Sequence, residues 1–171
     1  MRALTAMTLA ALLAPPLHPL AGQNGGMLEI GGFGRFTRFD SSLQLDNGFG
    51  FGGHVGLFAA RVFSLEIAGA YIPTTGPAGA DSVVLPLYAR LVFGAPVGEE
   101  VSLLFGGGYV HTLYGTSGTV ADDGINALVG VRFGLSEALA FRLVAIADFV
   151  PSPTIPGSSV SSYWTFALEA G

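Results

Sequence analysis

The chain has 171 residues, half of them hydrophobic and only 11% charged, with a mean hydropathy of +0.59, a balance that suits a fold whose only solvent is water poorly. All seven basic residues are arginine, so the lysines that normally hydrate a soluble exterior are missing. The absence of cysteine excludes a disulfide framework, a thiolate metal site and a catalytic thiol, and a formal charge of −5 leaves no electrostatic footprint for nucleic acid.

Residues 1–22 have the layout of a secretory signal: Arg2, then about a dozen apolar residues, then a proline-broken end with small residues. Pro15, Pro16 and Pro19 interrupt the run, so it does not supply the roughly 20 unbroken apolar residues of a helical anchor. Its removal leaves 23–171 as one domain, in which six arginines face twelve acidic residues.

Beyond that point a two-residue alternation recurs, and it predicts strands. "MLEIGGFGRFTRF" places Glu29, Arg35 and Thr37 on one face, and "FGFGGHVGLFAA" puts His54 among small residues. "VFSLEIAGAY" sets Phe63, Leu65, Ile67 and Tyr71 against Ser64 and Glu66. "SVVLPLYARLVFG" sets Leu85, Leu87, Leu91 and Phe93 against Ser82, Tyr88 and Arg90. "EVSLLFGGGYVHT" follows, then "GINALVGVRFGL" with Asn126, Gly130 and Arg132 opposite an apolar row. "EALAFRLVAIADFV" has Arg142 and Asp148 on one side, and "SSYWTFALEAG" has Tyr163, Thr165 and Glu169 together. These eight strands are joined alternately by short turns ("AAR", "GAPVGE", "GLSE") and by longer segments ("DSSLQLDNG", "PTTGPAGAD", "LYGTSGTVADD", "PSPTIPGSSV"). The expected fold is therefore all-β: an eight-stranded antiparallel up-and-down β-barrel.

The two faces of such a barrel have to differ, because eight strands enclose an interior just wide enough to be filled by side chains. Here the bulky continuous face is the apolar one. The other mixes glycine and alanine with four acids, Glu29, Glu66, Asp148 and Glu169, and four arginines, Arg35, Arg90, Arg132 and Arg142, with His54 besides. Balanced charge suits a sealed lumen, since an unpaired ion out of water costs several kcal/mol. The apolar face then meets lipid, and closure is obligatory because an open edge would strand backbone donors in hydrocarbon. Aligning the turns places Arg142 opposite Glu169 and beside Gly130. On the lipid face, Phe36, Phe49, Phe51, Tyr71, Tyr109, Phe149 and Trp164 fall toward the long-loop end, and Phe63, Phe93 and Phe133 toward the short-turn end, as interface girdles would. Phe105 and Phe141 fall mid-strand.

At "LDNGFGFGGHVGLFAARVFSLEIAGAY" and "SYWTFALEAG" the chain resembles the small bacterial outer-membrane β-barrel family, the OmpA-, OmpX- and OmpW-like eight-stranded proteins. The resemblance implies residence in the Gram-negative outer membrane, periplasmic chaperones, and insertion by the barrel-assembly machinery. Such proteins usually finish on an aromatic residue, whereas the last residue here is Gly171; Trp164 and Phe166 are candidates to stand in, or the natural frame runs on. Pro86 also departs from the pattern and calls for a local bulge.

Motifs with chemistry are weak. Gly48, Gly50 and Gly53 satisfy G-x-G-x-x-G, but alternation follows where a dinucleotide site needs a helix, so no cofactor is expected. No second histidine shares the face of His54, and no metal is expected. His111, Ser117, Asp122 and Asp123 lie in or beside one long loop, and Asp40, Asp46 and Asp81 share that end. Loop solvation is the default account for these residues. Three functions follow in order: a monomeric, non-enzymatic structural or surface-interaction barrel in outer-membrane lipid; a narrow porin-like conduit for small or apolar molecules, given lumen glycines such as Gly106, Gly108 and Gly130; and a lipid-modifying enzyme centred on His111.

Overall fold

The computed structural model describes residues 27–60, 62–115, 120–136, 138–154 and 160–171; the signal segment and Ser117 lie outside them. Eight strands follow in order: β1 (Met27–Arg38), β2 (Gly48–Ala60), β3 (Phe63–Thr75), β4 (Asp81–Pro96), β5 (Val101–Tyr114), β6 (Val120–Gly134), β7 (Ala140–Val150) and β8 (Tyr163–Ala170). Each pairs antiparallel with the next, and β8 returns to β1 through Gly34↔Ala170 to Arg38↔Phe166, closing the barrel.

Alternation along each strand sends one face in and the other out. On β8 Tyr163, Thr165, Ala167 and Glu169 are buried while Trp164, Phe166 and Leu168 are exposed, and β3 repeats the pattern with Ser64, Glu66, Ala68, Ala70 and Ile72 inside. The outward row includes Ile30, Phe49, Ile67, Leu91, Ile125 and Leu168, each more than half exposed. A soluble protein does not leave so continuous an apolar surface to water.

The lumen is filled unevenly. Val92, Leu104, Leu128, Val144, Ile146 and Ala167 form an apolar cluster on the β4–β8 side. Beneath the long loops Phe33, Phe39, Leu43, Ala70, Ile72, Val84, Val150 and Tyr163 form a second. Inward apolar residues on β4 to β7 thus add to the expected mixture of small and charged groups. Glycines occur where the wall is crowded: a Cβ on Gly31 would collide with the His54 ring, and one on Gly108 would come within 2.9 Å of the Arg90 Cβ.

Three details differ from expectation. Pairing runs to Thr75↔Asp81 and Tyr114↔Val120, so the ends of two segments read as long loops are strand; a continued ladder satisfies backbone groups that a loop would leave to solvent. The bulge expected at Pro86 is absent. The β3–β4 register is the same on either side, Gly69↔Leu87 and Ile72↔Val84, with the intervening pairs missing, while Pro86 pairs with Thr112 on β5. The proline nitrogen, which has no hydrogen to donate, interrupts the β3 ladder without shifting it. The register shift lies instead at Phe58/Ala60, next to the β2–β3 turn.

Candidate functional site

All eight ionised residues expected in the lumen meet in one chain of alternating sign. From the long-loop side it runs Asp148, Arg35, Glu169, Arg90, Glu66, Arg142, Glu29, Arg132. The successive nitrogen–oxygen distances are 3.5, 2.8, 3.8, 2.6, 2.8, 3.3 and 3.0 Å. The members come from β1, β3, β4, β6, β7 and β8, so the ladder ties together most of the circumference. Its central residues Arg35, Glu66 and Arg90 are each 2% exposed, and only Glu29 and Arg132, at the short-turn mouth, are half-buried. Unpaired, any of these groups would be costly in such surroundings; alternation gives each ion at least one opposite neighbour.

His54 joins at the lower end. Its Nε2 lies 2.9 Å from Arg142 Nη1 and 3.2 Å from Glu29 Oε1, with the Phe33 ring stacked beside it at 6.3 Å. The pairing expected between Arg142 and Glu169 is not found. The barrel closes with Val144 opposite Glu169 and with Arg142 N–H donating to the Gly171 carbonyl, and Arg142 reaches across the lumen to Glu29 and Glu66 instead. Glu169 takes Arg35 and Arg90, and Gly130 faces Val144. Arg35 with Glu169 and Arg90 with Glu66 are directly opposed on adjacent strands, whereas the Arg142 guanidinium is long enough to span the small lumen.

Two components escaped the sequence reading. Tyr88 was assigned to the inward face but not to the charges; its hydroxyl accepts from Arg35 Nη2 at 2.7 Å and donates to Asp148 Oδ2 at 2.9 Å. Its ring lies between the guanidinium carbons of Arg35 and Arg90, at 5.3 and 5.1 Å. Asp122, read as a solvated loop residue, is buried on β6. It accepts from Tyr163 Oη at 2.9 Å and from the backbone N–H and hydroxyl of Thr154 at 2.6 and 2.7 Å, and Tyr163 also contacts the Tyr114 hydroxyl. Even parity shared with Asn126 and Arg132 was the available signal for Asp122.

Asp123, one residue on, points outward. It contacts His111 Nδ1 at 2.7 Å and the Tyr109 hydroxyl, and all three sit on the outer face. Gly48, Gly50 and Gly53 lie along strand β2, not before a helix. No cluster of metal-ligating side chains occurs among the described residues.

The expected girdle residues lie on the outer face, several in ring contact. At the long-loop end the pairs are Phe36–Phe49 (4.8 Å), Phe51–Tyr71 (5.7 Å) and Phe149–Trp164 (4.7 Å), with Tyr109 exposed at the same end. At the other end Phe63 meets Phe93 at 5.2 Å, and Phe133 is exposed.

A closed antiparallel barrel, greasy outside and ion-paired within, is a transmembrane β-barrel. The chain belongs to the family described as outer membrane protein beta-barrel domain, whose model matches residues 7–145. Solved structures with the same fold include Neisserial surface protein A, at 13% identity and a TM-score of 0.70, covering 87% of this chain and 96% of that one. The outer membrane protein OprG of Pseudomonas aeruginosa has 14% identity and a TM-score of 0.55, covering 90% and 97%. The outer membrane protein AlkL, solved in lipid bilayers, has 14% identity and a TM-score of 0.56, covering 92% and 93%. No curated protein sequence matches.

Proposed function

We propose that this protein is a monomeric, non-enzymatic outer-membrane barrel, sealed by its own side chains, that acts as a structural element or through its long-loop surface. The observation that carries this reading is the ladder, which crosses the lumen at mid-height with Tyr88 packed into it. Above it the space among Arg35, Ile72, Val84, Asp148 and Tyr163 is about 10 Å³, at the lower limit of room for one water. Residence in lipid, and delivery by periplasmic chaperones and the barrel-assembly machinery, belong to the same reading.

A second reading, a narrow conduit, draws on the short-turn side. There a cavity of about 190 Å³ at the mouth is followed by one of about 50 Å³ bounded by Glu29, Glu66 and Arg142. Passage beyond them would require the ladder to part, which separates buried charges at a cost of several kcal/mol. Planar-bilayer recording with the purified protein separates the two. A sealed barrel gives no stable unitary currents, and reproducible steps would overturn the first reading in favour of the second.

A further inference from the structure

Four of the five arginines in the described residues are in the lumen ladder; Arg38 is not. It is the last residue of β1, two positions past Phe36 on the outward face, exposed and directly opposite Phe166 on β8. No carboxylate lies within ion-pair distance of it among the described residues. Asp40, two residues on, turns its carboxylate away: Oδ1 accepts the Ser42 N–H at 2.9 Å, and Oδ2 faces the Trp164 N–H at 3.5 Å. The guanidinium is left as an unopposed cation on a chain whose formal charge is −5.

Arg38 borders an open groove of about 350 Å³ between β1 and β8, lined also by Phe39, Asp40, Ser41, Trp164 and Phe166. Along one side the Trp164 and Phe166 rings stack 6.2 Å apart and within 9° of parallel, and exposed Leu168 continues the row along β8. On the other side Phe36 packs against Phe49. A cation with no carboxylate partner among the described residues therefore stands beside a row of outward-facing apolar side chains, at the level of the long-loop aromatics.

We propose that this groove binds a phospholipid of net negative headgroup charge: the phosphate, with no headgroup cation to compete for it, pairs with the Arg38 guanidinium, and an acyl chain lies along Trp164 and Phe166. A guanidinium presents paired donors that match phosphate geometry, and an arginine at a membrane boundary is stabilised by an anionic headgroup. The inference rests on the reading that the outward face lies in lipid.

The single tryptophan of the chain reports on the site directly. The full chain is reconstituted in phosphatidylcholine bilayers carrying equal mole fractions of brominated phosphatidylglycerol or brominated phosphatidylcholine, and quenching of Trp164 is measured. The expected result is an apparent preference for the anionic lipid of about fivefold, the ratio one basic residue near an anionic surface provides. Arg38→Gln should bring the ratio to one, with quenching by phosphatidylcholine unchanged, and Arg38→Lys should keep part of it. Equal quenching of the native protein by both lipids would overturn the proposal, as would an R38Q variant that keeps the preference. Abolition of the preference by inorganic phosphate would also overturn it, assigning the site to a free anion. Absence of quenching by either lipid would overturn the membrane reading itself, an outcome distinct from loss of selectivity.

Discussion

Tyr88 donates its hydroxyl to Asp148 at 2.9 Å across 60 residues of sequence. The same oxygen accepts from Arg35, so one neutral side chain hydrogen-bonds two buried ions. Tyr88→Phe removes the oxygen and leaves the ring between Arg35 and Arg90. The expected loss is ~1–3 kcal/mol, that of leaving buried polar groups unsatisfied. Urea unfolding in detergent micelles measures it, and an unchanged midpoint would mean that the hydroxyl contributes nothing.

Arg90 is the costliest member of the ladder to remove. It contacts Glu66 at 2.6 Å and Glu169 at 3.8 Å, and Glu66 is left with Arg142 alone. Arg90→Met keeps most of the volume and deletes the charge, for an expected loss of ~3–5 kcal/mol. Arg132→Met, at the half-buried mouth, should cost clearly less. If the two variants unfold at the same denaturant concentration, depth in the lumen does not set the value of these pairs.

Asp122 ties the β7–β8 connection to the barrel through Thr154. Asp122→Asn keeps the shape but replaces charge-assisted bonds with neutral ones, at an expected ~1–2 kcal/mol. Hydrogen exchange at the Thr154 amide should speed up more than exchange at Trp164. Uniform acceleration along β8 would indicate general loosening instead.

Asp40 caps the 3-10 turn at Ser41–Leu43. Hydrogen bonding from Ser42 holds its carboxyl below the ordinary 3.8. A folded-state value below the unfolded one means the cap's contribution is complete above pH 3.8 and is lost as pH falls through the depressed value. The Ser42 amide resonance should therefore titrate with a midpoint below 3.8. A midpoint at or above that figure would show that the carboxylate is not held by the turn.

Alternation along eight segments was enough to assign class, strand count and the facing of the eight ladder residues, because strand parity is a local property. Residues such as Glu66 and Arg142 could be placed inside without any knowledge of their neighbours. Tyr88 was placed inside as well, but its role needed Arg35 from β1 and Asp148 from β7, beside Arg90 on its own strand. Asp122 was missed because a polar residue close to glycine and threonine reads as turn, whereas pairing of β5 with β6 carried the strand past it.

What the sequence determined by itself is the sidedness of the wall: which groups are enclosed and which meet hydrocarbon, a matter of alternate residues pointing oppositely. Only the tertiary structure decided who pairs with whom. Closure sets the stagger between strands, which puts Arg35 opposite Glu169 and Glu66 opposite Arg90 and lets the longer reach of Arg142 cross a narrow lumen. For that reason Arg142 meets Glu29 and Glu66 instead of Glu169, and Arg38, by parity alone, is left outside.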